Sequence, residues 1–435
     1  MKNRIVRTHY GEKVVEARLP DGWNLLGNLE TRAFPRIGAE EMERSLDHPI
    51  GTSSVEDLAR GKRNAVVVSS DIARPVEGDV ALPILLNRLN RGGIPDERIL
   101  LIMGGGSHKE PQNLQKAFLQ KFGKEVVGRV KTEYHHPDKD LVQVGRTKRG
   151  HLIEINRRVM ESDLKIGFGG IIPHAFGGYS GGAKVILPGV ASREAIVQNH
   201  VMVTDPKVGM GLVEGNPIRE EMEEVAEKVG LDFLLNLVLD TEGKAVGAVS
   251  GDFRLAYRAG VSQARQIFQA ELPKLADVII TSGHPYDIHL YQSLNGPGSV
   301  MNACRDGGTI IHLTPAHQGI LENTRKLFSS VKRIGYKNLF DRLREGERKD
   351  ETIRSFFFPE VNIGLGMLIF RSMIDRHIKI HVVTDGKHSA ELKEMGFGHA
   401  ATIEEAISQV QEDHPRADVA AALNAKVLIG ISSPQ

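Results

Sequence analysis

The feature of this sequence that most restricts its fold is a series of short apolar runs that end at glycine, histidine or acidic residues. The runs consist largely of aliphatic and β-branched side chains and lie at residues 64–68, 98–103, 164–168, 277–280, 309–311, 378–383 and 425–429. Stretches with helical character separate them, at residues 111–122, 216–229 and 255–270. This alternation predicts an α/β fold with buried, mostly parallel sheets and flanking crossover helices.

Chain length predicts two such domains. The 435 residues exceed what one hydrophobic core usually serves, which is about 250 to 300 residues. The last helical stretch of the first half ends before Pro273, and a new series of βα units follows. We therefore expect domains at residues 1–270 and 271–435, each with a mostly parallel sheet and flanking helices.

Composition predicts a cytoplasmic protein whose partner is a small molecule. The 56 Lys and Arg against 55 Asp and Glu leave a net charge of +1, so no overall field attracts nucleic acid or an anionic membrane. The single cysteine, Cys304, cannot form an intramolecular disulfide, which fits a reducing compartment. The sequence also lacks a signal-peptide pattern and any run of 18 apolar residues.

Two polar clusters follow directly after predicted strands, where ligands bind in open α/β sheets. In the first, SSDIARP, Arg74 can bind an anion and Asp71 can orient it, although a surface ion pair explains the two residues equally well. In the second, GGGSH, glycines allow a close approach of the backbone to a ligand and are followed by His108. Taken alone, His108 is more typical of a turn histidine.

The segment 169–189, GGIIPHAFGGYSGGAKVILPG, is the most informative. It has neither the Gly-Lys-Ser/Thr of a phosphate-binding P-loop nor the GxGxxG spacing of a dinucleotide site. Its glycines can expose amide donors to an anion around His174. A lysine between this loop and an apolar run, Lys184, is expected to be desolvated, with a lowered pKa and an amine available for covalent attachment. The alternative is a lysine whose ammonium reaches water.

Three further positions are weaker candidates. His200 lies near the end of a helical stretch that begins after Ser192, where a histidine either packs or binds a metal with non-protein ligands. Tyr291 and Gln292, in HPYDIHLYQSLNG, are neutral hydrogen-bonding groups that could equally face a loop. Asn216 followed by Pro217 predicts the start of a helix.

In combination, the motifs SSDIARP, GGYSGGAKVILPG and DIHLYQS, with His108, His174 and the downstream His200, resemble the nickel-pincer lactate racemase family over nearly the whole chain. The resemblance implies a nickel-pincer nucleotide, the nickel complex of pyridinium-3-thioamide-5-thiocarboxylic acid mononucleotide. This cofactor would be joined to Lys184 through a thioamide, with His200 as the protein ligand of nickel. Dedicated maturation enzymes would assemble it and are implied as partners.

The same resemblance implies an isomerase that racemises or epimerises a 2-hydroxy acid. Hydride would pass reversibly from C2 to the cofactor through a 2-oxo acid, and two imidazoles would transfer the hydroxyl proton. Residues 1–270 would hold the cofactor and residues 271–435 would close over the substrate. The implied roles are proton transfer by His108 and His174, cofactor binding by Asp71, Gly177, Gly178, Ser180, Gly181 and Gly182, and substrate binding by Arg74, Tyr291, Gln292 and Asn295.

One departure from the family pattern bears on the substrate. Lactate-specific members carry a lysine after YQS, whereas this chain has Asn295 at about that position. We therefore expect a 2-hydroxy acid other than lactate, larger or with a second polar group. Two other functions stay open: a non-catalytic carrier of the cofactor or of a nucleotide, and a Schiff-base lyase that uses Lys184.

Overall fold

The computed structural model describes residues 4–74, 76–345 and 364–432. Its strands are β1 (Ile5–Tyr10), β2 (Lys13–Arg18), β3 (Trp23–Leu29), β4 (Ala65–Ser70), β5 (Ile99–Gly104), β6 (Lys131–Tyr134), β7 (Leu141–Arg146), β8 (Leu152–Asn156), β9 (Leu164–Ile171), β10 (Pro173–His174), β11 (Gly178–Tyr179), β12 (Phe233–Leu239), β13 (Ala245–Gly251), β14 (Gln269–Leu272), β15 (Ala276–Ser282), β16 (Cys304–Leu313), β17 (Lys379–Val383), β18 (Gly398–Ala400), β19 (Ala417–Ala422) and β20 (Leu428–Ile431).

Helices connect most of these strands. They are α1 (Ala39–Asp47), α2 (Val55–Ala59), α3 (Gly78–Arg91), α4 (Leu114–Arg129), α5 (Arg157–Glu161), α6 (Arg193–His200), α7 (Pro217–Val229), α8 (Leu255–Phe268), α9 (Leu290–Ser293), α10 (Asn295–Val300), α11 (Glu322–Ile334), α12 (Tyr336–Arg344), α13 (Gly364–Asp375), α14 (Ser389–Glu394) and α15 (Ile403–Asp413). The predicted helix start is confirmed, because the Asn216 side chain accepts from the amides of Ile218 and Arg219.

The first large sheet has the strand order β13-β12-β9-β4-β5-β6. All its neighbours pair in parallel except β12 and β13. Along β4, Val66 and Val68 pack into one apolar cluster, whereas Ala65 and Val67 pack into another on the opposite face. Both faces are therefore covered, as in a sheet with helices on each side, and the predicted α/β class is confirmed.

The second large sheet has the order β18-β17-β16-β15-β19-β3, and all its strands are parallel. Its edge strand β3 comes from the start of the chain and pairs with β19, from Trp23 opposite Ala417 to Leu29 opposite Ala422. The sequence prediction counts all of residues 1–270 in the first domain, whereas this pairing places β3 in the second sheet. The reason is packing: Trp23 is 2% exposed in the apolar cluster of that sheet. The division near residue 270 itself stays a prediction.

A buried arginine joins the two halves next to α6. Arg371, on α13, donates from Nη1 to the carbonyl of Val203 and from Nη2 to the carbonyl of Val208, both at 2.9 Å. These carbonyls belong to the segment that follows α6. The second half therefore fixes the backbone just beyond His200. Among the described helices, none combines the length and apolarity needed to cross a bilayer.

Candidate functional site

The candidate site lies at the carboxyl ends of three adjacent parallel strands. In the first sheet β4 stands between β9 and β5. After β4 the chain continues to β5 on one side of it, whereas β9, on the other side, comes later in the sequence. Such a switch in strand order opens a crevice at the carboxyl edge of the sheet. Asp71 follows β4, His108 follows β5, and His174 lies just after β9. The structure thus brings these three predicted residues to one edge.

Asp71 and His108 form a hydrogen-bonded pair. Asp71 is buried, and its Oδ2 lies 2.5 Å from His108 Nδ1. Burial alone would raise the pKa of Asp71, but the hydrogen bond and charge of His108, together with the charge of Arg74, lower it overall. A carboxylate accepts at Nδ1, so the proton of neutral His108 lies there and Nε2 keeps its lone pair. His108 is thereby prepared as a base.

His174 has the opposite tautomer. Its Nδ1 accepts from the amides of Phe176 at 3.2 Å and Gly177 at 3.4 Å, so the proton of the neutral ring lies on Nε2. Burial, then the charges of Lys184 and Arg74, lower the pKa of His174 well below its usual value. Nη2 of Arg74 lies 3.5 Å from His174 Nε2. The site therefore offers one imidazole that accepts a proton and one that donates a hydrogen bond, next to a guanidinium.

Lys184 lies in a short 3₁₀ turn, Gly182–Val185, between the glycine loop and an apolar segment. Burial lowers the pKa of its amine to about 7, and the charges of Arg74 and Arg219 act in the same direction. At neutral pH a substantial fraction of the amine is therefore uncharged and nucleophilic. This agrees with the desolvation expected from the sequence.

His200 is the last residue of α6, as predicted. Its Nδ1 lies 3.2 Å from Asn199 Oδ1. The ring of Phe176 packs edge-on against both His200 and His174, with centroids 5.1 and 5.6 Å away. Burial lowers the pKa of His200 to about 3, and the charges of Lys184 and His108 add to the effect. A neutral imidazole of this kind can bind a metal.

The glycine loop is held together by contacts within the protein. Buried Arg219 donates to the carbonyls of Gly177 and Gly181, at 3.0 to 3.1 Å, and to that of Tyr179. Gly178, Gly181 and Gly182 have φ of +72°, +77° and +60°, and a Cβ at Gly182 would lie 2.7 Å from the Tyr257 ring. These glycines are thus required by close packing as well as by backbone conformation.

Several polar groups of the loop already have partners. The Ser180 hydroxyl donates to the carbonyl of Gly170 at 2.6 Å, and the Ser180 amide donates to that of Ile172 at 2.8 Å. The Gly182 amide donates to Asn236 Oδ1 at 2.8 Å. Binding of the cofactor by the loop residues Gly177, Gly178, Ser180, Gly181 and Gly182 stays a prediction, and the donors named here are occupied within the fold.

Lys121 is a positioning residue that the sequence analysis missed. Its side chain is buried, and its Nζ donates to the carbonyls of Asp71 at 2.7 Å and Arg74 at 2.9 Å. Burial lowers its pKa to about 7. Its position on α4, four residues after buried Ala117, places it on the apolar face, and a lysine at such a position was the available signal. Arg219 likewise lies three residues before buried Met222 on α7.

Replacement of Lys121 by methionine is expected to lower kcat/KM by about 10²-fold, because displacing Asp71 and Arg74 disturbs the orientation of reacting groups. Steady-state kinetics of the matured protein measures this. Lys116→Met is the matched control, since Lys116 lies exposed on the same helix and should keep normal activity. Equal rates for the two variants would show that Lys121 does not position the segment from Asp71 to Arg74.

The candidate residues of the second half have mainly local contacts. Tyr291 is half-buried and its hydroxyl accepts from the Gly366 amide at 3.4 Å. Gln292 is exposed, and Asn295 Nδ2 donates to the Gln292 carbonyl at 2.7 Å. Their role in substrate binding stays a prediction. The sequence analysis did not select Tyr286, which lies in the same segment, HPYDIHLYQSLNG. Burial raises the pKa of Tyr286, and the charge of Arg74 acts in the opposite direction.

Comparison with known proteins gives the family. A model of the lactate racemase N-terminal domain matches residues 10–211, and one of the lactate racemase C-terminal domain matches residues 272–427. The lactate racemase of Thermoanaerobacterium thermosaccharolyticum is 32% identical over 411 residues, which cover 92% of each chain. This chain belongs to the lactate racemase family. The lactate racemase of Lactiplantibacillus plantarum is 34% identical over 321 residues, or 71% of this chain and 74% of that one.

Solved structures agree with this assignment to the lactate racemase family. The lactate racemase apoprotein of T. thermosaccharolyticum superimposes with a TM-score of 0.82 at 28% identity, covering 98% of this chain and all of that one. A crystal structure of a Thermotoga maritima protein, at TM-score 0.59 and 18% identity, shares the fold. As a member of the lactate racemase family, this chain is an isomerase. The resemblance noted in the sequence is confirmed.

The lowered pKa of Lys184 predicts how the stability of this lactate racemase homologue depends on pH when the cofactor is absent. The pKa of Lys184 is about 7 when folded and near 10.5 when unfolded, so between these values the unfolded chain binds more protons. The free energy of unfolding should therefore rise with pH in that range. Below pH 7 it is lowered by the full cost of burying the Lys184 ammonium. Between pH 7 and 9 this contribution is about 2 kcal/mol.

Urea unfolding of the wild type and of Lys184→Met at pH 7, 8 and 9 tests this expectation. The methionine variant should be more stable at pH 7 by an amount that shrinks as the pH rises. Lys207→Met is the control, because Lys207 is exposed and its loss should leave the pH dependence unchanged. Parallel curves for wild type and Lys184→Met would contradict a desolvated amine.

Proposed function

We propose that this chain racemises or epimerises a 2-hydroxy acid by reversible hydride transfer, through a 2-oxo acid, with a nickel-pincer nucleotide attached to Lys184. One observation carries the proposal: a desolvated amine with a pKa of about 7 shares the charge environment of His174 and His200, at the edge where Asp71 holds His108. A proton acceptor, a hydrogen-bond donor and an attachment point are thus combined.

The residues present fit this cofactor. The uncharged fraction of Lys184 supplies the nitrogen of a thioamide. His200 keeps a ring nitrogen beyond its Asn199 contact, and imidazole suits Ni(II) together with soft sulfur donors. In the described part of the chain, no three or more His, Cys, Asp or Glu residues lie together as a set that could hold a metal ion. When bound, the nickel-pincer group supplies a reversible acceptor for the C2 hydride.

The chain's own residues handle the proton and the carboxylate. Nε2 of His108 accepts the hydroxyl proton of one enantiomer, and Asp71 stabilises the imidazolium that forms. From its own side, His174 donates a hydrogen bond to the substrate oxygen through Nε2–H, and it transfers the hydroxyl proton of the other enantiomer by cycling between the neutral ring and the imidazolium. Arg74, whose Nη2 lies 3.5 Å from this nitrogen, binds the substrate carboxylate. Closure of the second half would exclude water from the site.

The substrate class follows from two considerations. The relatives are named lactate racemases, which supports a small 2-hydroxy acid. By the resemblance noted in the sequence, Asn295 stands at about the position where lactate-specific members have a lysine, and its amide nitrogen donates within the α9–α10 segment. We therefore propose a substrate other than lactate, larger or with a second polar group. The cytoplasmic location and the maturation enzymes stay predictions of the sequence.

The test is production together with the family's maturation enzymes, followed by intact mass, nickel analysis and chiral chromatography of a panel of 2-hydroxy acids. We expect an adduct on Lys184, about one nickel per chain, and interconversion of enantiomers or epimers of at least one larger hydroxy acid. Adduct and nickel without turnover of any acid would favour the carrier function. Absence of both from a fully matured sample would overturn the proposal.

A further inference from the structure

A buried polar chain leads from α7 to His200. Glu221 is 2% exposed, although it is a carboxylate. Its Oε1 accepts from the Thr147 hydroxyl at 2.9 Å, and His151 Nδ1 lies 2.8 Å from the same oxygen. Its other oxygen, Oε2, accepts from Asn199 Nδ2 at 3.0 Å. Asn199 is fully buried and sits next to His200 in the chain.

These contacts allow Asn199 only one orientation. Its amide nitrogen faces Glu221 Oε2 and the carbonyl of Ile218, the latter at 3.2 Å, and both partners can only accept. The opposite orientation would place Oδ1 against two acceptors and leave buried groups unsatisfied, which is costly. Oδ1 therefore faces His200 Nδ1 at 3.2 Å.

An amide oxygen can only accept, so Nδ1 of His200 must carry the proton. The neutral ring then has its lone pair on Nε2. In metal sites the hydrogen bond at the second ring nitrogen of a histidine fixes its tautomer and orientation in this way.

We propose that Glu221, acting through Asn199, is a positioning residue that fixes the Nδ1–H tautomer of His200 before any metal binds. The tautomer stands on the hydrogen bonds alone. Its consequence for nickel binding rests on the proposed function, because only there is His200 the protein ligand. The sequence gives no direct sign of this pair, since Asn199 and Glu221 lie on different helices.

Nitrogen-15 NMR of the cofactor-free protein, with labelled histidine at pH 7.5, tests the tautomer directly. His200→Gln identifies the His200 signals by difference. We expect a protonated Nδ1 and an unprotonated Nε2 in the wild type, and appearance of the Nε2–H form in Asn199→Ala. Glu221→Gln, which preserves the side-chain volume, should shift the tautomer in the same direction. It replaces the alanine variant as the test if that variant fails to fold. A wild-type His200 protonated on Nε2 would overturn the proposal.

Glu220→Gln is the matched control, because Glu220 lies on the same helix with an exposed side chain 3.6 Å from Arg149. It should leave the His200 spectrum unchanged. Dialysis of matured samples against a chelator compares their affinities for nickel. The affinity of Glu221→Gln should be about 10- to 100-fold lower than that of the wild type, and the affinity of Glu220→Gln should be normal. A wild-type spectrum as expected, with no nickel in any matured sample, would refute the proposed function and leave the positioning role of Glu221 intact.

Discussion

Lys184→Met is expected to abolish isomerase activity and to yield a protein without a covalent adduct. The proposed thioamide would require the lysine nitrogen, whose pKa burial lowers to about 7, so that uncharged amine is available near neutral pH. Intact mass should show the bare polypeptide, nickel should fall to background, and chiral chromatography should detect no interconversion of substrate enantiomers.

Lys184→Arg is the informative companion variant. It keeps a cation at this position but, being protonated at all accessible pH values, cannot form the linkage. It should be as inactive as the methionine variant. Retention of an adduct in either variant would contradict attachment at Lys184. Reductive trapping of a carbonyl substrate on Lys184 by borohydride would instead support a Schiff-base lyase, because an amide-type linkage gives no such product.

Replacement of either candidate acid–base residue is expected to lower kcat by about 10² to 10⁴-fold, the usual contribution of a positioned proton-transfer group. The variants are His108→Gln and His174→Gln, and the measurement is the initial rate from each enantiomer. Both variants should still carry the adduct and nickel. Because the two rings have opposite tautomers in the resting protein, each replacement should lower kcat unequally for the two enantiomers at saturating substrate, with KM changing to match because kcat/KM stays equal in the two directions.

His136→Gln is the control for these variants. His136 lies near the same strand ends, but its closest carboxylate is Glu110, 3.6 Å away, and its side chain is 43% exposed. Its loss should change the rate little. Unchanged turnover in either His108→Gln or His174→Gln, with a normal adduct, would remove that residue from the mechanism.

The sequence predicts the arrangement of the first sheet well for a physical reason. The runs that became β4, β5 and β9 are buried on both faces and therefore consist of continuous apolar residues. Residues that follow parallel neighbours must meet at one edge, so the proximity of Asp71, His108 and His174 follows once these strands are recognised.

Other features depend on contacts between distant segments and leave little local sign. The partners of the glycine loop, Arg219 and Asn236, come from elements far along the chain, so the occupied amides could not be foreseen. Lys121 reads as an ordinary helix residue unless its place on the apolar face is noticed. The pairing of β3 with β19 joins segments almost 400 residues apart, a distance over which local propensity carries no information.

That pairing has a consequence for biosynthesis. Trp23 Nε1 donates to the carbonyl of His414, and the Thr8 hydroxyl donates to that of Ala422, both at 2.8 Å. Strand β3 therefore finds its partner strand β19 only after almost 400 further residues have been synthesised. Contacts of such sequence separation are slow to form. Until then the indole of Trp23 lacks its apolar cover, and transiently exposed apolar surface of this kind favours aggregation during synthesis.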